Sequence, residues 1–200
     1  MLKSTAMLLQ EYSSYANPAA KIGRIVKKGE LVPVVRGLYE TDPTTPGYCL
    51  SGALYGSAQL SFEYALGRRG FIPEEVRVYT CAVCGTGKRK RYSTPFGVFT
   101  YRDVPTRVFP YGVELLDERG YGHMLATPER AICDLLYTRA PCANRRELRE
   151  LLFDNLRIDE DEFRAANLDE MTELAELYRT TNCRLLASLI KEMKRHERSR

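Results

Sequence analysis

The sequence predicts an α+β protein: a small N-terminal winged helix-turn-helix followed by a mixed α/β body with a helical C-terminal part. Three patterns predict it. A short basic amphipathic helix runs straight into a hairpin pattern within the first 42 residues. Runs with strand character then dominate residues 76–125. From Thr127 onward, apolar residues recur at helical spacing.

Taken in order, Met1–Leu9 lacks the long apolar stretch of a secretory leader and reads as helix, with Ser4–Glu11 as the first full segment. Asn17 as N-cap, Pro18 at the first helical position and Gly29 just past the end delimit a second helix. Its wheel puts Ala19, Ile22, Ile25 and Val26 on one face and Lys21, Arg24, Lys27 and Lys28 on the other. Leu31–Val35, a tight Arg36-Gly37 and Leu38–Glu40 then make a β-hairpin with Arg36 at its tip. Asp42–Gly47 holds two prolines and a glycine, so residues 1–42 form the head, 43–47 a linker, and 43–200 the body. In the body, helices are expected at Tyr48–Gly56 and Ser61–Leu66. Strands are expected at Val76–Val83, Gly97–Arg102, Arg107–Phe109, Val113–Leu116 and Tyr121–Leu125. Thr127-Pro128 caps the next helix, and residues 128–200 are mainly helical: Glu129–Tyr137, Arg145–Leu156, Glu160–Ala165, Glu170–Thr180 and Cys183–His196. The charged tail Lys191–Arg200 is expected to fray.

An apolar content of 44% over 200 residues supports a sizeable core. The net charge of +4 is too small for bulk phosphate neutralisation, so affinity for nucleic acid has to come from local clusters. No apolar run is long enough for a spanning helix, so no membrane partner is expected. Cys81-x-x-Cys84 has no second pair at metal-binding spacing and falls in an expected strand, so neither metal nor cofactor is predicted. Free thiols fit a reducing cytoplasm.

A helix with a cationic face followed by an arginine-tipped hairpin suits duplex DNA. The helix fits the major groove and the hairpin reaches the flanking backbone or minor groove. Lys21 and Arg24, near the helix start, are candidates for base contacts. Lys27, Lys28 and Arg36 are candidates for phosphates, as are the backbone amides around Pro18–Ala20. A merely solvated basic face remains the competing reading. Gly85-Thr86-Gly87-Lys88 lacks the spacing of a phosphate loop. Lys88, Arg89, Lys90 and Arg91 read as a basic hairpin turn, either an accessory nucleic-acid contact or a solvated turn. Tyr92, Phe96, Phe99 and Tyr101 alternate as core residues do, although aromatics beside cations can also stack bases.

Catalytic residues are not predicted. His123 has no Ser or Cys partner in sequence, His196 lies in the tail, and Glu129 and Asp134 are five apart on one helix. Asp159–Glu162 reads as an acidic helix start. The stripes Leu148/Leu151/Leu152, Leu174/Leu177/Tyr178 and Leu185/Leu186/Leu189/Ile190 read as core, with a fraction available for a dimer surface.

The run Ala20–Tyr39, with Lys28-Gly29-Glu30-Leu31 leading to Arg36-Gly37-Leu38-Tyr39, resembles the winged-helix segment of AbiEi-family antitoxins. Leu54–Leu66, Phe96–Tyr101 and Ala126–Tyr137 (Ala-Thr-Pro-Glu and its helix) resemble that family's following elements in the same order, so the likeness spans roughly residues 17–140. The resemblance implies a DNA-binding repressor of its own promoter at inverted repeats, which a homodimer formed through those stripes would suit. It also implies the antitoxin half of a type IV toxin–antitoxin or abortive-infection (phage defence) pair. The implied functional partner is a nucleotidyltransferase-like toxin. The chain departs from the family in that only Tyr12–Ala16 separates the first helix from the basic one, which implies a missing or collapsed middle helix. Two other readings stay open: a nucleic-acid-processing enzyme using body carboxylates, and an interaction module that binds a toxin directly.

Overall fold

A computed structural model describes residues 1–198, and its first element is a strand where helix was expected. Leu2–Ser4 (β1) pairs antiparallel with Leu38–Glu40 (β3), which in turn pairs with Val32–Val35 (β2), giving a three-stranded sheet ordered β1-β3-β2. Strand pairing at long range outweighs the local helical pattern of Met1–Leu9. Helix α1 (Thr5–Glu11) starts at Ser4, whose side chain accepts from the Met7 amide at 3.2 Å. After a non-helical turn over residues 12–17 comes α2 (Pro18–Lys27). Asn17 caps it by accepting from the Ala20 amide at 2.9 Å. Its end is a Schellman motif: the amides of Gly29 and Glu30 reach the Val26 and Ile25 carbonyls, and Gly29 supplies the required positive φ of 76°. The order strand, helix, helix, hairpin therefore leaves no third helix between α1 and α2.

Leu8, Ile22 and Leu31 form a small core under α1 and α2, edged by Tyr12, Ile25, Val26 and Tyr39. The other side of the sheet joins the main core: Val34 is buried there, with Leu2, Val32, Val35 and Leu38 packed against it. Ala19, placed on the apolar face by the wheel, is exposed. It is small enough to sit on either face at little cost.

The body is a six-stranded mixed sheet ordered β6-β7-β5-β4-β9-β8: β4 Gln59–Leu60, β5 Val78–Cys84, β6 Lys90–Thr94, β7 Gly97–Val104, β8 Val113–Glu118, β9 Tyr121–Ala126. The expected helix Tyr48–Gly56 is a 3-10 turn (Gly47–Leu50) plus one turn of α-helix, α3 (Ser51–Leu54). Ser61 ends β4 and opens α4 (Phe62–Arg68). The expected strand Arg107–Phe109 is a series of turns, with amides of Val108 and Tyr111 bonded to carbonyls three residues back. Helix α5 (Pro128–Thr138) begins on the Thr127 cap, as the Thr-Pro pair dictates. Then follow α6 (Arg145–Arg149) continuing as a π-helical stretch (Glu150–Asn155), α7 (Glu160–Ala165), α8 (Leu168–Tyr178) and α9 (Thr181–Arg198). The tail expected to fray is helical to Arg198; residues 199 and 200 lie outside the described residues. Leu148, Leu152, Leu174, Tyr178, Leu186, Leu189 and Ile190 are buried and Leu151, Leu177 and Leu185 pack beside them, so the three stripes are taken up by the core.

One buried polar knot ties these layers together. Arg130 and Asp134, both fully buried on α5, form an i,i+4 ion pair at 3.1 Å. Asp134 also accepts from Ser61 Oγ at 2.6 Å and from the Tyr178 hydroxyl, while Arg130 Nη1 donates to the Val108 and Tyr111 carbonyls at 2.6 Å. The turns at 106–111 are therefore shaped to present carbonyls to a guanidinium, which a strand could not do. Gly112 is required beside them, because a Cβ there would lie 2.7 Å from that of Arg130. Burial raises the Asp134 carboxyl above its ordinary range, against the pull of Arg130 and its hydroxyl donors. Removing the acid alone strands a buried guanidinium. Asp134→Ala is expected to cost about 3–5 kcal/mol, read as a lower urea midpoint. Arg130→Met with Asp134→Leu is expected to recover only part of that loss, since the Val108 and Tyr111 carbonyls lose their donor.

The head is fastened at Glu40, which is fully buried at the end of β3. Its Oε1 accepts from the Thr41 and Asp42 amides at 2.8 and 3.0 Å and from the N-terminal ammonium. Burial opposes ionisation, but the ammonium, the Asp42 amide and the Tyr121 hydroxyl together hold the carboxyl below the usual range. A depressed folded-state pKa gives stability that is present above the unfolded carboxylate range and lost as pH falls through the folded value. Glu40→Gln is therefore expected to be destabilising at neutral pH, with the gap from wild type narrowing on acidification in urea melts.

Candidate nucleic-acid interface

Helix α2 carries no acidic residue, and its outward face is made of Ala19, Ala20, Gly23, Arg24 and Lys27, all exposed. Arg24 Nε donates to the Ala20 carbonyl at 3.3 Å, which lays the guanidinium back along the helix. Lys21, chosen from the wheel as outward-pointing, is half-buried at the rim, its ammonium 4.9 Å from the centre of the Tyr15 ring. The aromatic turn between the helices, invisible to a helical wheel, draws it aside. The middle of the face therefore belongs to Arg24 and Lys27, and Lys27 was assigned from sequence to phosphates. Lys28 lies past the end of α2, exposed and 3.9 Å from Glu30. That separation between two well-exposed groups is worth little.

Arg36 is exposed at the two-residue tip between β2 and β3. The tip is tethered: the Gly37 carbonyl accepts from the Thr5 amide at 2.9 Å, so the hairpin is held against the start of α1. Of the acidic groups of the head, Glu30 is exposed beside Lys28 at the end of α2. Glu40 is buried and Glu11 is paired with Lys3.

Lys88–Arg91 is not a hairpin turn. Strands β5 and β7 are parallel and β6 is antiparallel to β7, so residues 85–89 cross over the end of β7 to reach the sheet edge; the hairpin is at Thr94–Gly97. The crossover is pinned by Asp103, whose Oδ1 accepts from the Thr86 amide at 2.9 Å and its hydroxyl at 3.0 Å. Strand alternation then divides the cations. Lys90 stands opposite Tyr101 and shares the face of Tyr92, toward α3 and the head sheet, where β2 packs beside β6. Arg91 stands opposite Thr100 on the other face, together with Arg102. Lys88, Arg89, Lys90 and Arg91 are all exposed. Phe96, Phe99 and Tyr101 are buried, which removes them as base-stacking platforms, and Tyr92 packs on Tyr55 and Tyr101.

The groups considered for catalysis have structural duties. Glu129 accepts from the Asn167 amide at 2.8 Å, and Asp159 caps α7. His123 is buried in a cavity of about 190 Å³ lined by Tyr48, Tyr64, Arg68 and Glu118 among others. Burial pushes Tyr48 up to about 12 and the neighbouring Cys49 thiol up to about 11, so neither is an ionised nucleophile at neutral pH. Cys81 is buried and its thiol is also raised by burial. Among the described residues, no three His, Cys, Asp or Glu side chains are grouped to hold a metal. Nor is any helix among them long and apolar enough to cross a membrane.

No family model matches the chain, and no curated protein matches it.

Gly23 sits mid-helix with nothing within 4 Å of where a Cβ would stand. An interior helical glycine costs about 0.5–1 kcal/mol relative to alanine, and no contact within the chain compensates for it. Gly23→Ala is expected to raise the unfolding free energy by about that amount in chemical denaturation.

Proposed function

We propose that the chain is a cytoplasmic, sequence-specific DNA-binding repressor that lays α2 in the major groove and sets the β2–β3 hairpin against the flanking backbone. The observation that carries this reading is the outward face of α2: free of acid, formed of small residues around Arg24 and Lys27, and followed at once by a tethered hairpin tipped with Arg36. Small side chains let a helix approach base edges closely. Arg24 then reaches guanine O6 and N7, while Lys27, Lys28 and Arg36 neutralise phosphates. Lys21 plays a lesser part from the rim. Lys90, on the strand β6 that packs beside β2, extends the positive strip. Two copies on an inverted repeat would present two such helices to successive major grooves.

The resemblance to AbiEi-family antitoxins gives this repressor its setting: the antitoxin of a type IV pair, repressing its own promoter and opposing a nucleotidyltransferase-like toxin. The DNA reading rests on α2 and the hairpin; the antitoxin reading rests on the resemblance.

Titrating the full chain onto its own upstream region by fluorescence anisotropy tests the DNA reading. Arg24→Ala is expected to cost about 1–3 kcal/mol on the specific site. Arg36→Ala is expected to weaken all duplexes alike and to reduce the salt slope by about one. Gly23→Ala, although more stable, is expected to bind less well. Unchanged binding in all three variants would remove the head as the reader. Metal-dependent nuclease or nucleotidyl-transfer activity lost on mutating a body carboxylate would replace this reading with the enzymatic one, and a stable complex with the toxin would favour the interaction module.

A further inference from the structure

A second positive site, independent of α2, lies on the far face of the body sheet. Glu63 of α4, Arg102 of β7, Arg89 of the crossover, and Thr138 and Arg139 at the end of α5 line a cleft of about 270 Å³. Arg102 grips both Glu63 oxygens, at 2.8 and 3.1 Å, and Arg139 Nη2 reaches one of them at 3.4 Å. Arg89 faces the same space and forms no ion pair among the described residues. Two guanidinium groups thus engage the one carboxylate of the lining and a third shares the cleft with them, so the lining carries an excess of two positive charges.

Two further observations point to a built site. Asp103 anchors the crossover that carries Arg89, holding it at Thr86. Phe62, just before Glu63, is fully buried at a φ of 57°, a left-handed conformation that a bulky residue adopts only under constraint. The constraint is visible: Ser61 is held by Asp134 and by the Thr80 hydroxyl, which also accepts from the Tyr64 amide. The Arg102 guanidinium lies over the Phe62 ring, 4.6 Å from its centre, a contact that restrains it at the cleft. Strain of this kind concentrates where a side chain has to be presented in one orientation.

We propose that this cleft binds a phosphoryl group, which displaces the Glu63 carboxylate from the arginine fork. A phosphate offers the same two-oxygen edge to Arg102 and further oxygens to Arg139 and Arg89. The lining is charged and hydroxylic with no aromatic or aliphatic wall, so the cleft recognises the phosphoryl group and not a base. The group can come from a free phosphate compound or from a nucleic-acid backbone.

Calorimetric titration of the full chain with pyrophosphate tests the proposal. Binding is expected in the wild type, with a loss of about tenfold or more in Arg89→Ala/Arg139→Ala, two exposed positions whose replacement leaves the core intact. Glu63→Gln is expected to tighten binding, because the competing carboxylate is gone; a purely structural ion pair gives no such gain. To separate the sources, duplex DNA is added to an Arg24→Ala/Lys27→Ala protein. Duplex binding by that protein that pyrophosphate competes away, and that is itself lost when Arg89→Ala/Arg139→Ala is added, identifies the backbone; pyrophosphate binding that duplex does not compete identifies the free compound. No pyrophosphate binding in either the wild type or Glu63→Gln, or binding indifferent to Arg89 and Arg139, overturns the proposal whatever becomes of α2.

Discussion

The Arg130–Asp134 pair is the constraint on which the remaining architecture depends. Both charges are out of water, so each depends on partners, and these come from separate elements of the body. Ser61 brings the junction between β4 and α4, Tyr178 brings the end of α8, and the turns at 106–111 supply carbonyls. Arg107 extends the same logic outward, donating to the Tyr178 carbonyl at 3.0 Å where α8 ends. A network of this kind adds little net stability over a well-packed apolar core, but it tolerates only one arrangement of the elements that feed it.

That single arrangement propagates to both positive surfaces. Holding Ser61 fixes Phe62 in its unusual conformation and points Glu63 at Arg102 and Arg139. On the opposite face the sheet receives the head, through Val34 and the strand pair β2 and β6. The head's own core of Leu8, Ile22 and Leu31 is small, so its sheet leans on the body while α2 keeps its polar face outward. The hairpin is secured twice, at Gly37 by Thr5 and at Glu40 by the backbone of Thr41 and Asp42.

Local chemistry made much of this legible from the residues. Asn17-Pro18 and Gly29 bounded α2 correctly, Thr127-Pro128 opened α5, and Asp159 capped α7, because capping is settled within four residues. The candidate cations of α2 were also legible as a set. The half-burial of Lys21 was not, since Tyr15, in a turn outside the helix, pulls it to the rim. The strand Leu2–Ser4 was hidden because its partner, β3, lies some 35 residues away, while its local pattern continues into α1. The run Lys88–Arg91 looked like a hairpin because a dense polar segment between strands usually is one; here a parallel neighbour forces a crossover.

By itself, then, the sequence determined the α+β class, the capped ends of α2 and the start of α5, the helical C-terminal part and the presence of a basic helix followed by a hairpin. Those follow from periodicity and capping, which act over a few residues. Tertiary structure alone decided that Arg130 and Asp134 are a buried pair, that alternation sends Lys90 and Arg91 to opposite faces, and that Arg89, Arg102 and Arg139 meet around Glu63. Such groupings join residues up to 76 positions apart, as Arg139 and Glu63 are. They are set by strand order and by the need to satisfy buried charge, which no local pattern records.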